Sequence, residues 1–133
     1  MADVFVDTFY YLARLSRNDA AHHRAIEVSR RLSGRTVTTA WVLTEVADAL
    51  HAPQLRGAAA NLYETLLADS SVTIVPAEQA LYDRGWEMYR QRPDKAWSLT
   101  DCISFVLMQE RNLQEALTGD QHFEQAGFVA LLK

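Results

Sequence analysis

Short apolar or β-branched runs alternate with longer stretches of helical periodicity along this chain. Val4-Phe5-Val6 is an apolar run that stops at Asp7, and residues 8–16 follow with Phe9, Leu12 and Ala13 on one side of a short helix. Asn18 or Asp19 is placed to cap a basic helix running to about Leu32, which Ser33-Gly34 stops. Thr36-Val37-Thr38 is β-branched and reads as a second strand. From Ala40, the residues Leu43, Val46, Ala47 and Leu50 recur at helical spacing, and Leu55 to Leu67 predicts a further helix beyond Pro53. Val72-Thr73-Ile74-Val75 is the clearest strand, closed by Pro76.

The same alternation continues to the end. A helix is expected from Glu78 to about Arg90, then a polar stretch, Gln91 to Lys95. Ser98-Leu99-Thr100-Asp101 opens the most apolar helix, which contains Ile103, Phe105, Val106 and Leu107 and is expected against a sheet. Ala116-Leu117-Thr118 predicts a strand, Asp120 to Gln125 a helical turn, and Gly127 to Leu131 an edge strand. Strand alternating with helix implies an α/β fold with a mainly parallel central sheet flanked by helices. With 133 residues and no repeat or internal linker, one domain spanning 1–133 is expected.

No apolar run approaches the roughly 20 residues a membrane helix needs, so no membrane association is expected. The acid at Asp3 and the interruption at Asp7 argue against a secretory signal. Cys102 is the single cysteine, which fits a cytoplasmic chain and, inside an apolar helix, an inert thiol. Net charge is −4, which excludes a uniformly cationic coat for nucleic acid. The cations are nonetheless clustered: six arginines fall between positions 14 and 35, against Asp19 and Glu27. Such a stretch is either a solvated face or a phosphate-gripping one, since the guanidinium fork matches phosphate geometry. Arg84, Arg90, Arg92 and Lys95 form a second candidate group for an RNA backbone. Trp86, Met88, Tyr89 and Trp97 are assigned to packing.

In an open parallel sheet, ligands bind beyond the carboxyl ends of the strands, near the point where strand order reverses. Asp7 follows the first strand directly, and Asp120 follows the Ala116–Thr118 strand by one glycine. Asp101 opens the buried helix, and Glu45 lies early in the helix after Thr36-Val37-Thr38. Four acids from four segments are therefore expected at one end of one sheet. Gathered carboxylates repel, and a divalent cation relieves that repulsion. Oxygen donors favour a hard ion, Mg²⁺ or Mn²⁺, and such a site suits phosphodiester hydrolysis.

Each acid also has a plain structural explanation. Asp7 and Asp120 could cap the helices that follow them, and Ser98 with Asp101 fits a capping box. Glu45 lies off its helix's apolar stripe and could be solvated surface. His22, His23, His51 and His122 lack transition-metal spacing, and surface or packing roles are expected for them.

Four segments resemble the PIN-domain family, and within it the VapC toxins of bacterial toxin–antitoxin pairs. They are Val4-Phe5-Val6-Asp7-Thr8, then Thr44-Glu45-Val46, then Leu99 to Phe105, and finally Leu117 to Phe128. The resemblance implies a Mg²⁺- or Mn²⁺-dependent endoribonuclease with Asp7, Glu45, Asp101 and Asp120 as its acidic quartet. Thr8, Ser98, Thr100 and Thr118 stand at supporting hydroxyl positions, and Gly119 is expected to loosen the last loop. It further implies an RNA substrate, a homodimer and a cognate antitoxin, with Leu55, Leu62, Leu66 and Leu67 and also Phe9, Tyr10 and Leu12 as candidate walls of an antitoxin groove.

Rival functions remain at this point. A receiver-type phosphotransfer domain needs a late lysine, yet only Lys95 and Lys133 exist; a haloacid-type domain needs an acid where Phe9 stands. A stand-alone RNA-processing nuclease and a non-catalytic RNA- or protein-binding module stay as alternatives.

Overall fold

The computed structural model describes residues 2–133. Five parallel strands form one sheet in the order β3-β2-β1-β4-β5. They are β1 (Val4–Val6), β2 (Thr36–Thr39), β3 (Val72–Val75), β4 (Glu115–Leu117) and β5 (Val129–Ala130). Seven helices connect or cover them: α1 (Thr8–Leu15), α2 (His22–Arg30), α3 (Ala40–Ala49), α4 (Arg56–Ala68), α5 (Gln79–Gln91), α6 (Leu99–Glu110) and α7 (Gln121–Gln125). Strand order runs outward from β1 to β3, then resumes on the other side of β1 with β4. The reversal therefore lies between β1 and β4, where a parallel sheet opens a crevice.

β1 sits at the centre, and all three of its residues are buried, as expected for a strand covered on both faces. Phe5 stacks towards Phe123, which meets Phe105 edge-on at 4.9 Å. Every residue of α6 from Cys102 to Met108 is buried, so this helix presses its apolar surface against the sheet and its neighbours. The buried hydroxyl of Thr38 is satisfied by donating to the Val6 carbonyl at 2.9 Å. Thr39 caps α3 by accepting from the Val42 amide at 3.1 Å.

Three boundaries differ from the sequence reading. The basic helix does not begin at Asn18 or Asp19. Asp19 closes a turn by accepting from the Ala21 amide at 2.8 Å, and α2 starts at His22; a short acid that bonds its own loop competes with helix extension. Thr118 lies just past β4 instead of within it, which turns its hydroxyl towards the loops. The last strand is shortened to two residues by Gly127, whose φ of +96° closes the turn after α7.

The apolar stripe of α3 divides between core and surface. Val46 is buried, whereas Leu43, Ala47 and Leu50 face Leu62, Tyr63 and Leu67 of α4 across an open groove of about 870 Å³. Of the residues expected as walls of an antitoxin groove, Leu62 and Leu67 line this one, Leu66 belongs to the core, Leu55 stands outside it, and Phe9, Tyr10 and Leu12 pack against the core from α1.

Helices α5 and α6 pack closely because position 85 is glycine. A Cβ there would press into the Ile103 side chain and stand 3.2 Å from its Cα, so the helices would have to separate. Gly57, also helical, faces open space. The same substitution should act in opposite directions at the two sites. Gly85→Ala is expected to lower the melting temperature through overpacking of about 1–3 kcal/mol. Gly57→Ala should raise it, by up to about 1 kcal/mol of helix propensity. Thermal melts by circular dichroism check both, and equal effects would contradict the packing described.

Candidate active site

Asp7 ends β1 in extended conformation at the position before α1, but its side chain makes no capping bond. Instead, its Oδ2 accepts from the Thr118 hydroxyl at 2.9 Å. Thr118 in turn accepts from the Asp120 amide at 3.1 Å. That amide must donate, so the hydroxyl proton of Thr118 is directed at Asp7. One threonine thus joins the end of β1 to the loop after β4.

The other acids are held just as specifically. Asp101 and Ser98 form a reciprocal capping box: Ser98 N donates to Oδ2 at 3.1 Å, and Asp101 N donates to Ser98 Oγ at 3.0 Å. Thr8 Oγ1 donates to Glu45 Oε1 at 2.5 Å, and the nearby Thr100 hydroxyl also favours the ionised carboxylate. Glu45 is half-buried, turned inward from α3 and away from solvent. Asp120 caps α7 by accepting from the His122 amide at 2.9 Å. Three of the hydroxyl residues singled out from the sequence, Thr8, Ser98 and Thr118, therefore bond one of the four acids.

Electrostatics mark the four as one cluster. Burial is the largest influence on Asp7, whose pKa is pushed from the usual 3.8 to about 7; the Thr118 bond opposes this, and the charges of Asp101 and Glu45 add to it. Burial likewise raises Glu45, with Asp101 and Asp120 contributing repulsion. Asp101 is raised by burial and by Asp120, against the Ser98 amide bond. Both causes, desolvation and like charge, favour the proton-bearing form.

A fifth residue joins them. His122 Nδ1 is buried, lies 3.1 Å from Asp120 Oδ1 and 3.5 Å from Asp101 Oδ2, and is aligned for a hydrogen bond with neither. One donor atom from each of Asp101, Asp120 and His122 falls within 4.8 Å of the others. Donor atoms that converge on a shared point, without bonding each other, fit a cation held between them. His122 had been assigned to surface or packing. The signal for it was its place two residues after Asp120, at the start of a five-residue helix.

Gly119 has a different reason from the loop-loosening expected. A Cβ there would come within 2.6 Å of the Phe9 ring, so the glycine lets Phe9 close over the loop between Thr118 and Asp120. The arginine stretch also reads differently. Arg14 donates to Tyr10 and Ser29, Arg24 to the Lys133 carbonyl and Arg35 to the Ser70 carbonyl, while Arg31 pairs with Glu27. Arg35 also precedes β2, at the amino end of the sheet and opposite the acids. Trp97 is core, edge-on to Phe105 at 5.0 Å, whereas Trp86 and Tyr89 remain 40% and 45% exposed.

The raised acids give a signed pH dependence. Their folded forms hold protons more tightly than the unfolded chain does, so the stabilisation is complete below pH 4 and is lost as pH rises through about 7. Without divalent cation, the melting temperature should therefore fall between pH 5 and pH 7.5. Added Mn²⁺ should raise it far more at pH 7.5 than at pH 5, because only ionised carboxylates attract it. Calorimetry at both pH values, with Mn²⁺ or EDTA, reads this; a cation effect equal at both would contradict it.

Comparison with known proteins agrees with this geometry. The sequence matches the PIN domain family over residues 4–129. It is 30% identical over 131 residues to the 23S rRNA-specific endonuclease VapC20 of Mycobacterium tuberculosis, in two strains, covering 95% of each chain. The crystal structure of that VapC20, described as a sarcin–ricin loop cleaving toxin, superposes with a TM-score of 0.87 at 26% identity, covering 95% of this chain and 96% of the other. FitAcB from Neisseria gonorrhoeae shares the fold, with a TM-score of 0.64 at 18% identity over 96% of this chain and 94% of that one. With carboxylates from four distant segments gathered at the crevice of a five-stranded parallel sheet, this chain belongs to the PIN-domain family.

Proposed function

We propose that this chain is a divalent-cation-dependent endoribonuclease and the toxin of a toxin–antitoxin pair, acting in the cytoplasm. The observation that carries the reading is the bonded, electrostatically coupled cluster of Asp7, Glu45, Asp101 and Asp120, in a chain so similar to a 23S rRNA endonuclease. A stand-alone RNA-processing nuclease or a non-catalytic binding module would account for the fold, but the second leaves the repulsion among these acids without purpose.

Asp7, Asp101 and Asp120 would hold Mg²⁺ or Mn²⁺, with Glu45 and the His122 ring nitrogen at its edge. When bound, such an ion supplies a Lewis acid for the phosphodiester and makes water a stronger nucleophile near neutral pH. The chain's own residues do the positioning. Thr118 fixes the Asp7 carboxylate through a directed proton. Thr8, bound at Oε1, fixes the Glu45 carboxylate to orient the attacking water and accept its proton. The water oxygen bonds to phosphorus as the opposite phosphorus–oxygen bond breaks, in line with the attack, and the departing ribose oxygen takes up a proton from solvent. The buried surroundings keep these carboxylates basic enough to act near neutrality.

Cleavage of 23S rRNA, the substrate named for the relative, tests the reading. Asp7→Asn keeps the shape and removes a charge, and kcat/KM should fall by about a hundredfold or more with the fold intact. Glu45→Gln should also lose activity, and EDTA should abolish it in the parent chain. Retained turnover in Asp7→Asn, with contaminating nuclease excluded, would overturn the assignment.

The resemblance also implies a homodimer and an antitoxin. The α3–α4 groove, with Leu67 60% exposed, suits an apolar antitoxin helix, and Thr44 on its wall adjoins Glu45, so a following basic tail could reach the carboxylates. Co-expression with the neighbouring gene product should give a stable complex in which RNA cleavage is suppressed. Leu67→Glu should weaken that complex in a pull-down, and an unaffected complex would exclude the groove.

A further inference from the structure

We propose a single-stranded RNA-binding cleft between α5 and the start of α6, with Trp86 and Tyr89 as base-stacking platforms and Arg90, Arg92 and Lys95 as phosphate contacts. It rests on the endoribonuclease reading and extends it to where the RNA is held. The cleft has a volume of about 690 Å³, and none of its lining residues is acidic. Ser98, on its wall, donates its amide to Asp101 Oδ2 at 3.1 Å, so the cleft and the acid cluster share an edge.

Three observations favour RNA as the occupant. First, the aromatics continue towards the site. Trp86 meets Tyr82 edge-on at 6.3 Å, and Tyr82 stacks on Trp41 at 6.1 Å and 9°; Trp41 precedes Glu45 by one helical turn of α3. Exposed aromatic rings beside a basic groove are how chains hold unpaired bases without sequence preference. Second, cations line the cleft. Arg90 pairs with Glu87 at the surface, where ion pairs contribute little and exchange readily for phosphate, whereas Arg92 is held in place by both oxygens of Asp94. Among the described residues Lys95 has no ion-pair partner. Arg92 also lies over the Trp97 ring at 5.1 Å, which holds its fork at the cleft edge. Third, a second copy of this chain fits poorly. Two-fold pairing through the cleft would set these three cations against their own copies. Arg84, bound to Glu110, stands outside the cleft lining.

Anisotropy of a labelled single-stranded oligouridine, with EDTA to prevent cleavage, and 23S rRNA cleavage kinetics test the cleft together. Trp86→Ala with Tyr89→Ala should weaken oligouridine binding about tenfold or more. Because Trp86 also packs on Tyr82, and Tyr89 on Trp86, the single variant Lys95→Glu is measured beside it. It should weaken binding and lower the salt dependence by about 0.7 in log–log slope. Both should raise KM with little change in kcat, and Arg35→Ala, at the opposite end of the sheet, should change neither. Binding and KM unchanged in both variants would overturn the cleft while cleavage by the parent chain sustains the endoribonuclease reading. A parent that binds but does not cleave, with binding lost in the variants, would sustain the cleft and remove that reading. Variants that turn a dimer into a monomer by light scattering, with RNA affinity unaltered, would assign the surface to a second copy and overturn the proposal.

Discussion

Repulsion among buried carboxylates is the constraint on which the carboxyl end of this sheet depends. Four acids brought from β1, α3, α6 and the loop after β4 cannot all ionise in a desolvated pocket without opposition. The fold opposes that repulsion with directed hydrogen bonds and with helix starts. Asp7 and Asp120 precede α1 and α7, and Asp101 lies in the first turn of α6, where unpaired amides give the backbone a partial positive charge. Thr118 is the most economical of these devices, since its one hydroxyl binds the Asp7 carboxylate, 111 residues away in sequence, and the backbone amide of Asp120.

The order of the strands explains why the acids meet at all. β1 is flanked by β2 on one side and β4 on the other, so whatever follows β1 and β4 lies at the reversal. Asp7 and Thr118 could not hydrogen-bond if β4 were placed at an edge. Tight packing elsewhere keeps that arrangement rigid. Phe9 closes over Gly119, and Gly85 lets α5 lie against α6, which sets the angle from which Ser98 and Asp101 enter the site.

Much of this was legible in the sequence, for reasons that can be named. A run of three buried apolar residues ending in an acid gives both a strand and its functional end, so Asp7 needed no more than the strand-end rule. Ser98-x-x-Asp101 announced a helix start, and the structure gives that acid a capping bond and a place in the cluster together. Glu45 was harder, because helical periodicity identifies the core face but does not say what covers the remaining faces; α1, through Thr8, covers this one. His122 escaped because metal spacing is judged along a chain, and one of the two carboxylates beside its ring, Asp101, comes from another helix. For the arginines of 14–35 a solvated face and a phosphate-gripping one both stayed open in the sequence, because a charge count along the chain carries no information about which end of the sheet the charges reach.

A pocket built of carboxylates is also a poor place from which to attract a polyanion. Coulomb repulsion from four acids, on a chain of net charge −4, opposes every phosphate that approaches before a cation is in place. Affinity for RNA must then be generated outside the pocket, by groups that bear the opposite charge or none. The cations of the α5–α6 cleft connect to the acids through Ser98, whereas in the arginine-rich stretch Arg35 lies at the opposite end of the sheet and Arg14 and Arg24 bond their own neighbours. A division of labour follows. Stacking and phosphate contacts in the cleft would set how tightly RNA is held, and the carboxylates would set how fast it is cut. The two properties would then answer to different residues on different helices.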